Sequence, residues 1–98
     1  MATVWIPAQL RSLTGGRERV TVPGGSLRQV IEALEAAYPG IQARLLEDDA
    51  RVPGIQAIRP GIVALIDGET RTQTLSQPVA EDSEVAFIHA ISGGRGGS

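Results

Sequence analysis

The residues best suited to chemistry in this 98-residue chain are a pair of glycines near its end, Gly93-Gly94, followed by Arg95-Gly96-Gly97-Ser98. Four of the twelve glycines fall in those last six residues. Two adjacent glycines carry no side chains and tolerate backbone angles that other residues resist. They can thread a narrow channel in a partner and offer a carboxylate or carbonyl carbon to chemistry beyond it. From Ile91 through Ser92 and Gly93 to Gly94 the tail reaches ~10 Å, at ~3.3 Å per extended residue. Gly-Gly alone is also the composition of a frayed terminus. Here it directly follows an apolar strand pattern that begins Glu84-Val85-Ala86-Phe87.

The rest of the chain offers little else for catalysis. It has no cysteine, hence no thiolate nucleophile and no Cys-based metal site, and its single histidine is His89. Glu47-Asp48-Asp49 reads as a solvated acidic loop, without the alternating ligand spacing or turn glycine of a calcium loop. No nucleophile, base or metal constellation points to an enzyme, and no cofactor is expected. Nine basic and eleven acidic residues leave a net charge of −2, with no strong pull toward nucleic acid or membrane. All nine basic residues are arginines. Without lysine the chain cannot form lysine-linked polymers of itself. Arg11, Arg17 and Arg19 read as a solvated strand face, with an acidic partner surface as the alternative. His89 reads as a partly exposed strand residue. The start has no basic n-region and no stretch approaches ~18–20 apolar residues, so a cytoplasmic location is expected.

A tail of this kind needs a folded body to carry it. Thr3 to Pro7 reads as a strand with Val4 and Ile6 on one face and Trp5 on the other. Thr14-Gly15-Gly16 marks a turn, and Arg17 to Val22 alternates like a half-buried strand that pairs back as a hairpin. Ser26 with Gln29 three residues on forms a capping-box pattern. Leu27, Val30, Ile31, Leu34 and Tyr38 then form one apolar helical stripe, which Pro39-Gly40 ends. A shorter helix is expected over 41–46 and a short strand over 55–58. Residues 61–66 read as a strand covered on both faces. Asp67-Gly68 is a tight turn, 69–75 a short edge strand, and 78–82 a loop or one helical turn. The last strand, 84–91, sets Val85, Phe87, His89 and Ile91 against Ala86, Ile88 and Ala90. The order β-β-α-(α)-β-β-β predicts an α+β chain with one mixed sheet wrapped on one main helix. Its last strand is central and parallel to the first, a β-grasp arrangement. Residues 1–91 are expected to be that domain and 92–98 a flexible glycine-rich tail.

The chain resembles the MoaD/ThiS family of ubiquitin-like sulfur carriers over residues 3–94. The likeness rests on Ile6-Pro7-Ala8-Gln9-Leu10-Arg11, Thr14-Gly15-Gly16, Ser26 to Ile31, Tyr38-Pro39-Gly40, Ile66-Asp67-Gly68 and Glu84 to Gly94. The Pro-x-x-Leu-Arg start and the Thr-Gly-Gly turn resemble CysO-type carriers of cysteine synthesis. The resemblance implies that an E1-like adenylyltransferase of the MoeB/ThiF type uses ATP to adenylate the Gly94 carboxylate. Sulfur then replaces the adenylate, and the resulting thiocarboxylate donates sulfur to a biosynthetic enzyme. Ile91, Ser92 and Gly93 would thread the partner's active site, and Pro7 and Ile88 would belong to a docking patch. Carriers of this family commonly end at the Gly-Gly, whereas this chain continues through Arg95-Gly96-Gly97-Ser98. That departure implies a precursor trimmed by a JAMM-type peptidase, with a terminus at Gly97 as the competing outcome. A protein modifier conjugated through the same terminus is the alternative function, and a binding module without tail chemistry the third.

Overall fold

The computed structural model describes residues 1–48, 54–70 and 74–89. Its main sheet has the order β2-β1-β7-β5-β6. The strands are β1 (Ala2–Trp5), β2 (Arg19–Val22), β5 (Ile62–Ile66), β6 (Glu69–Thr70) and β7 (Glu84–His89). β1 and β7 run parallel, and every other neighbouring pair is antiparallel. The last strand is therefore central and parallel to the first, as the element order predicts. Helix α1 (Leu27–Ala37) supplies the crossover and covers one face. Helix α2 (Ile41–Leu45) follows, and β3 (Leu46–Asp48) pairs with β4 (Gln56–Ile58) as a separate ribbon.

The apolar stripe of α1 lies in the core. Leu27, Val30, Ile31 and Leu34 are all at most 1% exposed, each contributing roughly 1.5–3 kcal/mol relative to an exposed position. They pack with Val4, Ile6, Ile62, Ala64, Ile66, Val85 and Phe87 from the sheet. The Ser26 hydroxyl accepts the Gln29 N–H at 3.3 Å. The Gln29 amide oxygen accepts from Gly25 N–H at 2.7 Å, one residue earlier than a capping box requires. The Leu27 and Arg28 N–H groups donate to the carbonyls of Gln77 and Leu75. Segment 74–79 thus closes the start of the helix, with Leu75 and Val79 buried. At the other end, the Glu35 carboxylate accepts from the backbone N–H groups of Gly40 at 3.1 Å and Gln42 at 2.9 Å, joining α1 to α2. These bonds hold its carboxyl below the ordinary glutamate value, that of Gln42 first and that of Gly40 second.

Several expectations are corrected. The first strand spans Ala2–Trp5 rather than 3–7, because Pro7 opens a 3-10 helix, Ala8–Thr14, that the sequence pattern did not reveal. Leu10 and Thr14 of that helix are buried, so it closes one end of the core. Glu47 and Asp48 belong to β3, where Glu47 pairs with Ala57, instead of a loop; Asp49 lies outside the described residues. Of the expected edge strand 69–75, Glu69–Thr70 is strand and Leu75 is buried, while 71–73 lie outside the described residues. Pro78 makes an isolated bridge to Ser26. β5 is covered on one face only: Ile62, Ala64 and Ile66 are buried, whereas Val63 and Leu65 are half-exposed. A single helical layer cannot cover both faces of the sheet.

Candidate functional site: the open sheet face and the tail exit

Strand register builds the uncovered face row by row. In the middle row lie Arg19, Trp5, Ala86, Leu65 and Thr70, each paired with the next. The row nearer the end of β7 contains Ile88 opposite Val63. The row nearer its start contains Thr21, Thr3 and Glu84. Trp5 is 39% and Ile88 44% exposed, the largest side chains in a strip completed by Ala86, Leu65 and Val63. This strip is the candidate interaction surface of the described residues.

Trp5 is held in place from two sides. Its indole N–H donates to Glu84 Oε1 at 3.1 Å. The Arg19 guanidinium stands 5.3 Å from the ring centroid, within cation–π range. The start of β7 is anchored by Asp67, a non-glycine residue at φ +54. Its Oδ2 accepts from the buried Ser83 hydroxyl at 2.9 Å, and its Oδ1 accepts from Glu84 N–H at 3.0 Å. The Asp67 N–H in turn donates to the Glu84 carbonyl at 2.8 Å. β7 is thus fastened at its start, bonded to β1 and β5 along its length, and ends at His89 opposite Ile62. Whatever follows His89 departs from a fixed point beside Ile88.

Of the residues singled out in the sequence, Ile88 lies on the open face and Phe87 in the core, 2% exposed. Pro7 is half-buried at the start of the 3-10 helix, and the pairing of β1 with β7 stops at Trp5 and Ala86, short of it. His89 is exposed. The tail residues Ile91, Ser92, Gly93 and Gly94 lie outside the described residues. Trp5, Val63, Leu65 and Ala86 were not foreseen as a patch with Ile88. The alternation in each strand assigned their faces, but only the register brings them together. Among the described residues no group of His, Asp and Glu could hold a metal ion, and no helix is long and apolar enough to cross a membrane.

The ThiS family pattern matches residues 4–94 of this chain. Over 93 residues the chain is 36% identical to the sulfur carrier protein CysO of Mycobacterium tuberculosis, covering 94% of this chain and 97% of that protein. The crystal structure of Mycobacterium tuberculosis CysO superposes with a TM-score of 0.80 at 32% identity, over 93% of this chain and all of that one. The structure of the Amycolatopsis orientalis BexX/CysO complex contains a chain that matches with a TM-score of 0.81 at 25% identity, covering 95% and 99% of the two chains.

Proposed function

The chain belongs to the ThiS family of sulfur carriers, and from that membership we propose that it carries its sulfur as a thiocarboxylate on Gly94. The observation that carries the choice of Gly94 is the family match itself, which ends at residue 94. That end point favours Gly94 over Gly97.

The Gly94 carboxylate, once residues 95–98 have been removed, attacks the α-phosphorus of ATP. Pyrophosphate leaves, and a poor electrophile becomes an acyl adenylate. Sulfide then adds to the acyl carbon and AMP leaves, giving the thiocarboxylate; a persulfide donor requires a thiol to cleave its S–S bond afterwards. The thiocarboxylate sulfur attacks an electrophile in the accepting enzyme, and hydrolysis returns the carboxylate. ATP binding, acid–base groups and any metal reside in the partners. The partners are an E1-like adenylyltransferase of the MoeB/ThiF type, a JAMM-type peptidase that trims the extension, and a sulfur-accepting biosynthetic enzyme. The likeness to CysO supports cysteine biosynthesis as the destination, and the BexX/CysO complex, in which a similar chain is bound to another protein, supports direct docking of this carrier on a partner. Dependence on ATP puts the chemistry in the cytoplasm. Residues 1–91 act as the body, Ile91 to Gly93 thread the partner, and the patch around Ile88, with Pro7 at its margin, docks it.

The test is the intact mass of the chain after incubation with ATP, sulfide, the host's adenylyltransferase and its peptidase. The expected product ends at Gly94 with one oxygen exchanged for sulfur. Full-length chains alone, under conditions that support sulfur transfer, overturn the reading. An isopeptide-linked product selects the modifier reading instead. Ile88→Asp, folded but not activated, supports the docking patch; unchanged activation removes it.

A further inference from the structure

The arginines near the start of the chain find a common location in the fold. Because β1 and β7 are parallel, the end of β1 lies beside the end of β7, where the tail departs. β2 is antiparallel to β1, so its start lies at that same end, with Arg19 opposite Trp5. The Ile6 N–H donates to the Glu18 carbonyl at 2.8 Å, which extends this register and sets Arg17 one step further toward the tail end. Arg11, in the 3-10 connection between the two strands, donates from Nε to the Ile6 carbonyl. Arg17 and Arg19 are exposed and line a shallow groove of about 340 Å³ with Thr3, Val20 and Thr21, with no carboxylate among the described residues of its walls. Glu18, between them in sequence, is exposed but is not among the described residues that line the groove. Arg59, just ahead of β5, is neutralised by Glu47 at 3.6 Å.

The opposite end of the sheet is acidic. Asp67, Glu69, Glu81, Asp82 and Glu84 all stand at or beside the end of β5 and the start of β7, with Arg28 at the start of α1 as the described arginine on that side. The net charge of −2 conceals this polarity.

We propose that Arg11, Arg17 and Arg19 form a cationic rim beside the tail exit, and that this rim engages carboxylates around the mouth of the channel in the adenylating partner. The proposal rests on the tail chemistry given above and adds the charge of the surface that receives it. A cationic rim at the tail end and carboxylates at the far end make one approach favourable and the reverse repulsive, so the tail meets the channel first. Such steering raises association rates by about 10- to 1,000-fold at low salt and fades as the Debye length contracts to about 3 Å at 1 M. A protein surface fits better than nucleic acid, because the arginines flank an apolar strip in a chain of negative net charge.

The experiment measures association of the chain, trimmed to Gly94 by the host's peptidase, with the host's E1-like adenylyltransferase across ionic strength, alongside ATP-dependent adenylation. Arg17→Glu with Arg19→Glu is expected to slow association at least about tenfold at low salt, with the difference vanishing near 1 M. Arg17→Lys with Arg19→Lys should keep the native rate within about twofold, because charge alone is read at long range. The swap that adds Glu81→Arg and Asp82→Arg to the two arginine reversals restores the native net charge, and it should remain slow. Arg17→Glu alone serves if the loss of the Arg19–Trp5 stack unfolds the chain. An unchanged low-salt rate in the reversed variants, with adenylation intact, overturns the rim and leaves the tail chemistry standing. Recovery in the charge swap overturns it in favour of net charge. An RNA hairpin that binds the native chain but not the reversed one overturns it in favour of nucleic acid. A native chain that is neither bound nor adenylated overturns both readings.

Discussion

Asp67→Ala tests how β7 is anchored. In the native chain one carboxylate oxygen accepts from the Ser83 hydroxyl, whose residue is 3% exposed, and the other accepts from Glu84 N–H. Hydrogen bonds to a charged group contribute about 1.5–3 kcal/mol each, and the Glu84 bond, being exposed, falls at the low end. Alanine at φ +54 adds about 1 kcal/mol of strain, where aspartate is better tolerated. Neighbouring terms do not add fully, so the expected loss is roughly 2–4 kcal/mol. For a chain of 98 residues that is a fall in Tm on the order of 10–25 °C. Asp67→Asn keeps an acceptor for Glu84 N–H and an amide N–H that can donate to Ser83, so it should stay within about 1 kcal/mol of the native chain. Asp67→Gly should lose both side-chain bonds yet be more stable than Asp67→Ala, because glycine accepts the positive φ. Urea unfolding followed by the fluorescence of Trp5, the single tryptophan, measures all three. An alanine variant within about 0.5 kcal/mol of native, or one more stable than the glycine variant, refutes the anchor.

Three further outcomes follow from local geometry. Gly24→Ala places a Cβ 2.8 Å from Val30 Cγ2 and 3.0 Å from its backbone nitrogen; with little room to shift, it should cost about 1–3 kcal/mol by thermal unfolding. Glu35→Gln should remove a pH-dependent part of stability. The folded-state value of Glu35 is lowered by the Gln42 and Gly40 N–H groups, so its contribution is present above the ordinary glutamate value and is lost as pH falls through the folded one. Native and variant curves should therefore converge in acid, and a constant gap down to low pH counts against the bond. Leu34→Ala, at a site with no exposure, should cost about 2–5 kcal/mol in urea; a smaller loss would mean that the helix is not pinned to the sheet there.

Where the residue pattern was periodic, the architecture was legible. The 3–4 spacing from Leu27 to Leu34 marked α1, and the alternation around Val85 and Phe87 marked β7 and its buried side. The 3-10 helix escaped because Ala8 to Thr14 buries only Leu10 and Thr14, too few positions to reveal a period. β3 escaped because Glu47 and Asp48 are charged, and a two-stranded ribbon pays no penalty for charge on its exposed side. The coverage of β5 was misjudged for a different reason. Val63 and Leu65 are as apolar as their neighbours, and composition cannot distinguish a second packed layer from a face kept apolar for a partner. Gly93-Gly94 stood out only because it follows the strand pattern that begins at Glu84, and it lies outside the described residues, while the grouping of Trp5, Ala86, Leu65, Val63 and Ile88 on one face required strand register.

That register ties the proposed docking strip to the point on β7 from which the tail begins. Ile88 and His89 are consecutive on β7, and Ile88 is paired with Val63 in the same ladder that fixes Leu65 opposite Ala86. A partner that seats on the strip therefore also fixes where the chain leaves the sheet. Beyond His89, five residues reach Gly94, about 16 Å at full extension. A docked partner must place its reacting centre within that radius of the strip's end. Lengthening the tail by two glycines after Ser92 should leave docking intact while lowering the adenylation rate. Shortening it by deleting Gly93 should abolish adenylation at unchanged affinity. If both length variants were adenylated at the native rate, the distance between strip and reacting carbon would not be what the fold controls.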